Sequence, residues 1–224
     1  MTTAHLYNDL TPKSGRYNMT VDEWLLTQAI EQQQISLRFY RWEEPTLSLG
    51  YFQSRREFHP PPTLKDLPQV ERLSGGGAIL HDLELTYSIA LPASHPISQD
   101  PTELYSVAHS AIIKALAEQQ IEVAMRGEDQ ADRNDQFLCF LRGDRHDVLS
   151  GEYKILGSAQ RRRKGAILQH GSLILGTSEF APEIPGLQNL TNRQIDIEAL
   201  TSSLFEKLKP LAADWQMATP VEFK

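Results

Sequence analysis

Apolar residues recur at helical spacing in three stretches of the chain. Leu104, Val107, Ala108, Ala111, Ile112, Ala115 and Leu116 repeat at i, i+3 and i+4, which predicts an amphipathic helix. Asp100 suits its N-cap, Pro101 its first position and Glu103 the positive end of its dipole. Val21, Trp24, Leu25 and Ala29 predict another helix. Thr20-Val21-Asp22-Glu23 has the order of a capping box, so this helix is expected to start at Thr20 and run to about Gln33. Ile197, Leu200, Leu204 and Leu208 predict a third over 196–209, ended by Pro210.

Elsewhere the period is two. Leu85, Tyr87, Ile89 and Leu91 alternate with Thr86, Ser88 and Ala90, as a half-buried strand does. Residues 37–42 and 46–52 read as strands flanking a turn at Glu43-Glu44-Pro45. Residues 147–150, 153–162 and 166–175 read as a meander with tight turns at Gly151 and Gly165. Strands outnumber helices and are mostly joined by hairpins. The expected fold class is therefore α+β, a mixed, largely antiparallel β-sheet packed with helices. Pro60-Pro61-Pro62 reads as a surface connection, and nothing else resembles a linker or a repeat. A single domain over 1–224 is expected.

Composition narrows the function classes. Of 224 residues, 40% are hydrophobic and 23% charged, enough for a soluble core. The net charge of −7 argues against a general nucleic-acid binder. No apolar run is long enough for a membrane span, and the N-terminus has neither the basic start nor the apolar stretch of a secretory leader. A cytoplasmic location is the expectation. The one cysteine, Cys139, excludes an internal disulfide and any multi-cysteine zinc site, and the seven histidines lack ligand spacing, so no metal site is expected.

Four segments carry candidate chemistry. Ser74-Gly75-Gly76-Gly77, after Arg72 and before His81-Asp82, lets backbone N–H groups approach a phosphate or carbonyl oxygen. A plain turn accounts for the glycines equally well. Lys154, Ser158 and Gln160 fall on one face of a strand, and a hairpin at Arg163-Lys164-Gly165 is expected to bring His170 near Ser158. The ordinary alternative is a solvated sheet face. Cys139 stands among apolar residues, where a cysteine is usually a small core residue. As a nucleophile it needs a cation, which Lys154 supplies if the loop after Cys139 folds back. Arg161-Arg162-Arg163-Lys164 is a solvated hairpin tip or a docking patch for an acidic partner, and Arg55-Arg56 is a second candidate patch.

Taken together, these blocks resemble the catalytic domain shared by lipoate and biotin protein ligases and octanoyltransferases. The matching blocks are Asn18-Met19 to Asp22-Glu23, Leu37-Arg38-Phe39-Tyr40-Arg41-Trp42, Leu47-Ser48-Leu49-Gly50-Tyr51-Phe52-Gln53, Arg72 to Gly77 with His81-Asp82, Lys154-Ile155-Leu156-Gly157-Ser158-Ala159-Gln160, and Leu168-Gln169-His170-Gly171. Within it, Leu83 to Ser88 and the interval from Cys139 to Lys154 look like octanoyl-carrier-protein:protein octanoyltransferases of the LipM type. Two positions depart from that group: Glu71 stands where an arginine is usual, and Gly77 is ligase-like. Arg133-Asn134-Asp135 has a ligase-like order but lies too far from Lys154 to match. The tail after Leu175 is too short for a ligase's accessory C-terminal domain together with the third helix, so no such domain is expected here.

The resemblance implies a catalytic pair, Cys139 and Lys154. It also implies a substrate-binding set: Arg72, Ser74, Gly75, Gly76, Gly77, His81, Gly157, Ser158, Ala159, His170 and Gly171. The implied reaction is acyl transfer. Octanoyl-acyl carrier protein donates to Cys139, and the lysine of a lipoyl domain or a glycine-cleavage H-type protein accepts, with no cofactor. Lys154 is expected to stabilise the thiolate and oxyanion and to relay the amine's proton, and Tyr87 and Ile155 to line the acyl slot. Two alternatives stay open. One is a lipoate–protein ligase using ATP and Mg²⁺, alone or with a separate accessory chain. The other is a non-catalytic protein that binds an acyl group or lipoyl domain.

Overall fold

The first helix starts earlier than the pattern at Thr20 predicts. Ser14 is its N-cap and accepts from the Tyr17 N–H, so α1 (Gly15–Glu31) gains more than a turn, and the Thr20 hydroxyl donates back to the Arg16 carbonyl. The computed structural model describes residues 3–53, 59–127 and 137–219. Arg55-Arg56 and Arg133-Asn134-Asp135 lie outside the described residues. Around α1 the chain runs β1 (Ala4–Lys13), β2 (Ile35–Trp42), β3 (Thr46–Leu49), β4 (Gln69–Glu71), β5 (Ile79–His81) and β6 (Glu84–Leu91). It continues α2 (Thr102–Glu118), β7 (Ala124–Met125), β8 (Val148–Ser150), β9 (Tyr153–Arg163), β10 (Ala166–Ile174), α3 (Leu187–Thr191), α4 (Ile197–Leu208) and β11 (Trp215–Met217).

The strands form two sheets. Eight are ordered β11-β1-β2-β6-β10-β9-β8-β7, and three are ordered β4-β3-β5. In the large sheet β11, β1 and β2 run parallel and every later pairing is antiparallel. The expected α+β class, with a mixed and largely antiparallel sheet, is what is found. The meander is also found: Gly151 and Gly165 take positive φ at its two turns. Glu43-Glu44-Pro45 does not close a hairpin, because β2 and β3 belong to different sheets.

The central strand β6 is buried on both faces, not on one as its alternation predicts. Leu85, Tyr87, Ile89 and Leu91 pack with Leu104, Ala108, Ile112 and Leu116 of α2 and with Leu200 and Leu204 of α4. The other face lies under α1, where Val21, Leu25, Leu26 and Ala29 meet Ala90, Ala166 and Leu168. Small alanines let the helix approach closely. The polar residues on that face are compensated individually: Ser88 donates to Asp22 at 2.7 Å, and Trp42 Nε1 donates to Thr86 at 2.9 Å. The cap of α2 falls one residue from expectation, with the Asp100 carboxylate accepting from the Thr102 N–H. α4 starts one residue inside the expected span, with Asp196 as its N-cap, and a 3-10 turn carries the chain through Pro210. Among the described residues, no helix is long and apolar enough to cross a membrane.

Candidate active site

Arg72 holds the glycine-rich loop in shape. Its guanidinium donates to the Ser48 carbonyl on β3 at 2.9 Å, to the Gly75 carbonyl at 2.9 Å and to the Gly77 carbonyl at 2.6 Å. Gly76 sits at φ +99°, which a side chain would strain. Burial lowers the Arg72 guanidinium to about 10, against the negative charge of a Cys139 thiolate, which pulls it up. Arg72 Nε has no partner among the described residues and remains as a donor. Glu71, one residue earlier, is exposed, so its departure from the family pattern leaves these loop contacts intact.

Two histidines brace this loop and β3 from behind. His170 Nε2 lies 2.5 Å from Ser74 Oγ, and its Nδ1 lies 2.8 Å from Asp22 on α1. His81 Nε2 lies 2.7 Å from Ser48 Oγ, its Nδ1 lies 2.8 Å from Glu84, and its ring stacks on Trp42. Ser74 and Ser48 are both 0% exposed, so neither array presents a serine to a substrate.

Cys139 opens a 3-10 turn whose first N–H donates to the Ala78 carbonyl at 2.8 Å, pinning the turn beside the glycine-rich loop. The segment after it folds back onto β9. The Lys154 ammonium meets three acceptors: Asp147 at 2.9 Å, the Cys139 carbonyl at 3.3 Å and the Arg142 carbonyl at 3.4 Å. Gly157 makes this possible, because a Cβ there would stand 2.7 Å from Lys154 Cε. Burial raises the Asp147 carboxyl above its ordinary value, while the Lys154 ammonium pulls it down. The space that a side chain at Gly77 would need is taken by the Arg142 guanidinium, 2.9 Å from that Cβ position.

One cavity of about 720 Å³ unites much of the expected set. It is lined by Cys139, Lys154 and Arg72, by Gly75 and Gly76 of the loop, and by Gly157, Ser158, Ala159 and Gln160 of β9. His81, His170 and Gly171 lie instead on a second cavity of about 20 Å³, the size of one water. His170 and Ser158 are neighbours across the strand pair and both border this small cavity, but their side chains leave opposite faces of the sheet. Gly171 pairs opposite Ser158 and His170 pairs opposite Ala159, so a register shifted by one residue turns the imidazole to the α1 face. Gly171 leaves the room that Ser158 and Tyr87 occupy. Tyr87 and Ile155 do not line the cavity either, because both are buried in the core under α2. The apolar side chains that share the cavity with Cys139 are Ile79 and Phe140, and Leu138 and Phe140, its neighbours in the chain, join Ile174 and Ile184 in an apolar cluster.

Residues 14–181 match the family described as the lipoyl protein ligase A/B catalytic domain. The chain belongs to this family. It is 32% identical over 221 residues to the octanoyltransferase LipM of Clostridioides difficile, covering 87% of this chain and 82% of that one. The match to LipM of Geobacillus kaustophilus is 37% identical and spans 62% of that relative, less than two thirds of its length. Among solved structures, lipoate-protein ligase A bound with ATP superposes with a TM-score of 0.74 at 23% identity, over 99% of this chain and 90% of that one. The bi-partite lipoate protein ligase of Thermoplasma acidophilum superposes with 0.71 at 22% identity, over 99% and 89%. At these identities the structures speak for the fold.

Three residues of this ligase-family site were not singled out by sequence reasoning. Asp22 was read as part of a cap, yet it accepts from Ser88, Tyr40 and His170 and lies 3.6 Å from the Arg38 guanidinium. Its signal was Arg38, a cation inside an apolar strand that demanded a buried partner. His109 lies in the buried stripe of α2 between Ala108 and Ile112, where a polar residue asks for a bond. Asp147 gives no signal beyond opening an expected strand.

Proposed function

We propose that this chain moves an octanoyl group from an acyl carrier protein to a lysine of a lipoyl-type domain, through a thioester on Cys139. The observation that carries this reading is the convergence of Cys139 with two cations at one cavity, Lys154 and Arg72. The LipM relatives support it at the level of sequence. In the first step the Cys139 thiolate attacks the donor thioester carbonyl, and the carrier's thiol leaves. In the second the acceptor amine attacks the Cys139 thioester, a C–N bond forms and the thiolate leaves. Lys154 and Arg72 contribute positive charge beside the developing oxyanion. The apolar residues flanking Cys139 suit an unbranched acyl chain.

A second reading, ATP-dependent lipoate–protein ligase, is favoured by the fold. Both ligases named above superpose over 99% of the chain, one of them with ATP bound, and a cavity of about 720 Å³ is roomy enough for an acyl-adenylate. In that reading Mg²⁺ and ATP activate the acid, Lys154 faces the adenylate's charge, and Cys139 is dispensable. The bi-partite ligase, solved with its E2 lipoyl domain, supports a lipoyl-type acceptor in either case.

Intact-protein mass spectrometry separates the two. Wild type and Cys139→Ser are mixed with octanoyl-carrier protein without ATP. The thioester reading expects one octanoyl adduct on wild type and none on the variant. No adduct, with an octanoylated acceptor appearing once ATP, Mg²⁺ and octanoate are added, establishes the ligase. No product under any condition leaves a binding protein.

A further inference from the structure

Both readings end with a lysine amine attacking an activated acyl carbon, and that amine must lose a proton. Lys154 is badly placed to take it. Its three ammonium N–H groups face the Asp147 carboxylate and two backbone carbonyls, and neutralising it would leave Asp147 as an unpaired buried charge.

A different group on the cavity wall has an open acceptor. Ser158 Oγ lies 2.6 Å from His109 Nε2, and His109 Nδ1 lies 2.5 Å from the His146 carbonyl. A carbonyl accepts and never donates, so Nδ1 carries the imidazole proton and Nε2 is the bare nitrogen. Ser158 must then donate to His109. It follows that the Tyr87 hydroxyl, 2.8 Å from Ser158, donates to Ser158. Gln169 Nε2 donates in turn to Tyr87, and Gln160 Nε2 donates to Gln169 Oε1. Every bond in the chain therefore points the same way, from the sheet toward His109. Burial lowers His109 to about 4, so the imidazole is neutral and this polarity persists at physiological pH. A hydroxyl has two lone pairs and Tyr87 uses one. The second is open, on a residue that lines the same cavity as Cys139 and Lys154.

We propose that Ser158 and His109 form the proton relay for the acceptor amine. As the amine nitrogen bonds to the acyl carbon, its proton passes to Ser158 Oγ and the Ser158 proton passes to His109 Nε2. The leaving group departs with the electron pair of the broken bond, and the imidazolium then returns its proton through Ser158 to the leaving group or to water. Ser158 touches the substrate. His109 acts through it and is a positioning residue. The proposal rests on acyl transfer to a lysine amine and holds for a thioester or an acyl-adenylate alike.

The test separates the two half-reactions in wild type, Ser158→Ala, His109→Asn and the double variant. Donor activation is read as the Cys139 adduct or, with ATP and octanoate, as pyrophosphate release. Transfer is then timed after adding an acceptor lipoyl domain, and separately after adding an aryl thiolate, which attacks with no proton to lose. Rates are taken from the activated acyl group each variant has already formed, and urea unfolding shows that the variants fold. Transfer to the lysine should slow about 100-fold, and the double variant should be no slower than either single one. Transfer to the thiolate should stay within about threefold of wild type. Lysine transfer at the wild-type rate overturns the relay, and so does equal slowing with the thiolate, which would mean a merely structural role. Failure of wild type to activate or transfer with either donor is a different result, and it overturns the acyl-transfer reading and the relay together.

Discussion

The two faces of the β6–β10–β9 layer carry hydrogen-bond chains built from the same residue types but closed by different groups. On the α1 face Ser74 bonds His170, and His170 bonds the Asp22 carboxylate, itself beside Arg38. On the α2 face Ser158 bonds His109, and His109 bonds a backbone carbonyl. The first serine is wholly buried and heads the glycine-rich loop, while the second borders the cavity. A serine, a histidine and an acceptor in line are therefore not a function in themselves. The carboxylate-ended chain is an anchor whose strength comes from buried charge. The carbonyl-ended chain is neutral, has a fixed direction, and opens onto the cavity shared with Cys139 and Lys154.

The largest effect should come from breaking the anchor. Asp22→Ala leaves His170, Ser88 and Tyr40 without their shared carboxylate and the buried Arg38 guanidinium with Asp9 alone, and urea unfolding should show a loss of about 3–5 kcal/mol. A loss below about 1 kcal/mol would mean that the anchor is not built on charge. The neutral chain should reveal itself through pH. The folded protein keeps His109 unprotonated down to about 4, whereas the unfolded chain binds a proton below about 6.5. Its contribution is thus intact above pH 6.5 and is lost as pH falls toward 4. The stability gap between wild type and His109→Phe should narrow by about 3 kcal/mol between pH 7 and pH 4. A gap that does not change with pH contradicts a neutral imidazole.

Smaller effects sharpen the contrast at its edges. Arg161 stacks on Tyr51, 4.5 Å from the ring centroid, whereas Arg162 and Arg163 are exposed at the hairpin tip. Reversing both exposed charges should slow turnover with intact carrier protein about tenfold and leave a small thioester substrate unaffected. Equal slowing on both substrates would remove the docking role. On the α1 face, Ser14→Ala should cost about 1 kcal/mol in thermal or urea unfolding, as loss of an N-cap does, and Thr20→Ala less than about 0.5 kcal/mol. The reverse ranking would restore the cap to Thr20.

Much of the fold was legible in the chain. The α2 stripe, the α4 helix and the meander through Gly151 and Gly165 stand where local pattern placed them, because each is decided by residues close in sequence. The start of α1 was misread because a local capping pattern at Thr20 outweighed Ser14, which has no glutamate three residues on. The short strands β4, β5, β7 and β11 carry too few residues to show a period and exist through pairing with distant partners. The site divided in the same way. Lys154, Gly157 and Ser158 could be read as a unit, being neighbours on β9, and the fold-back that brings Cys139 to Lys154 was named as a condition without being visible.

The sequence by itself determined the residue types, the local periods and the family, because these depend on chemistry and spacing within short windows. It also carried a warning of buried charge in Arg38. Tertiary structure decided which face each side chain serves. A one-residue difference in the β9–β10 register sends His170 to Asp22 and Ser74 and leaves Ser158 to a histidine from α2, 49 residues away in the chain. Side chains alternate across a strand, so no local window contains that choice. It is set by which partner residue lies opposite, and packing across the whole sheet fixes that.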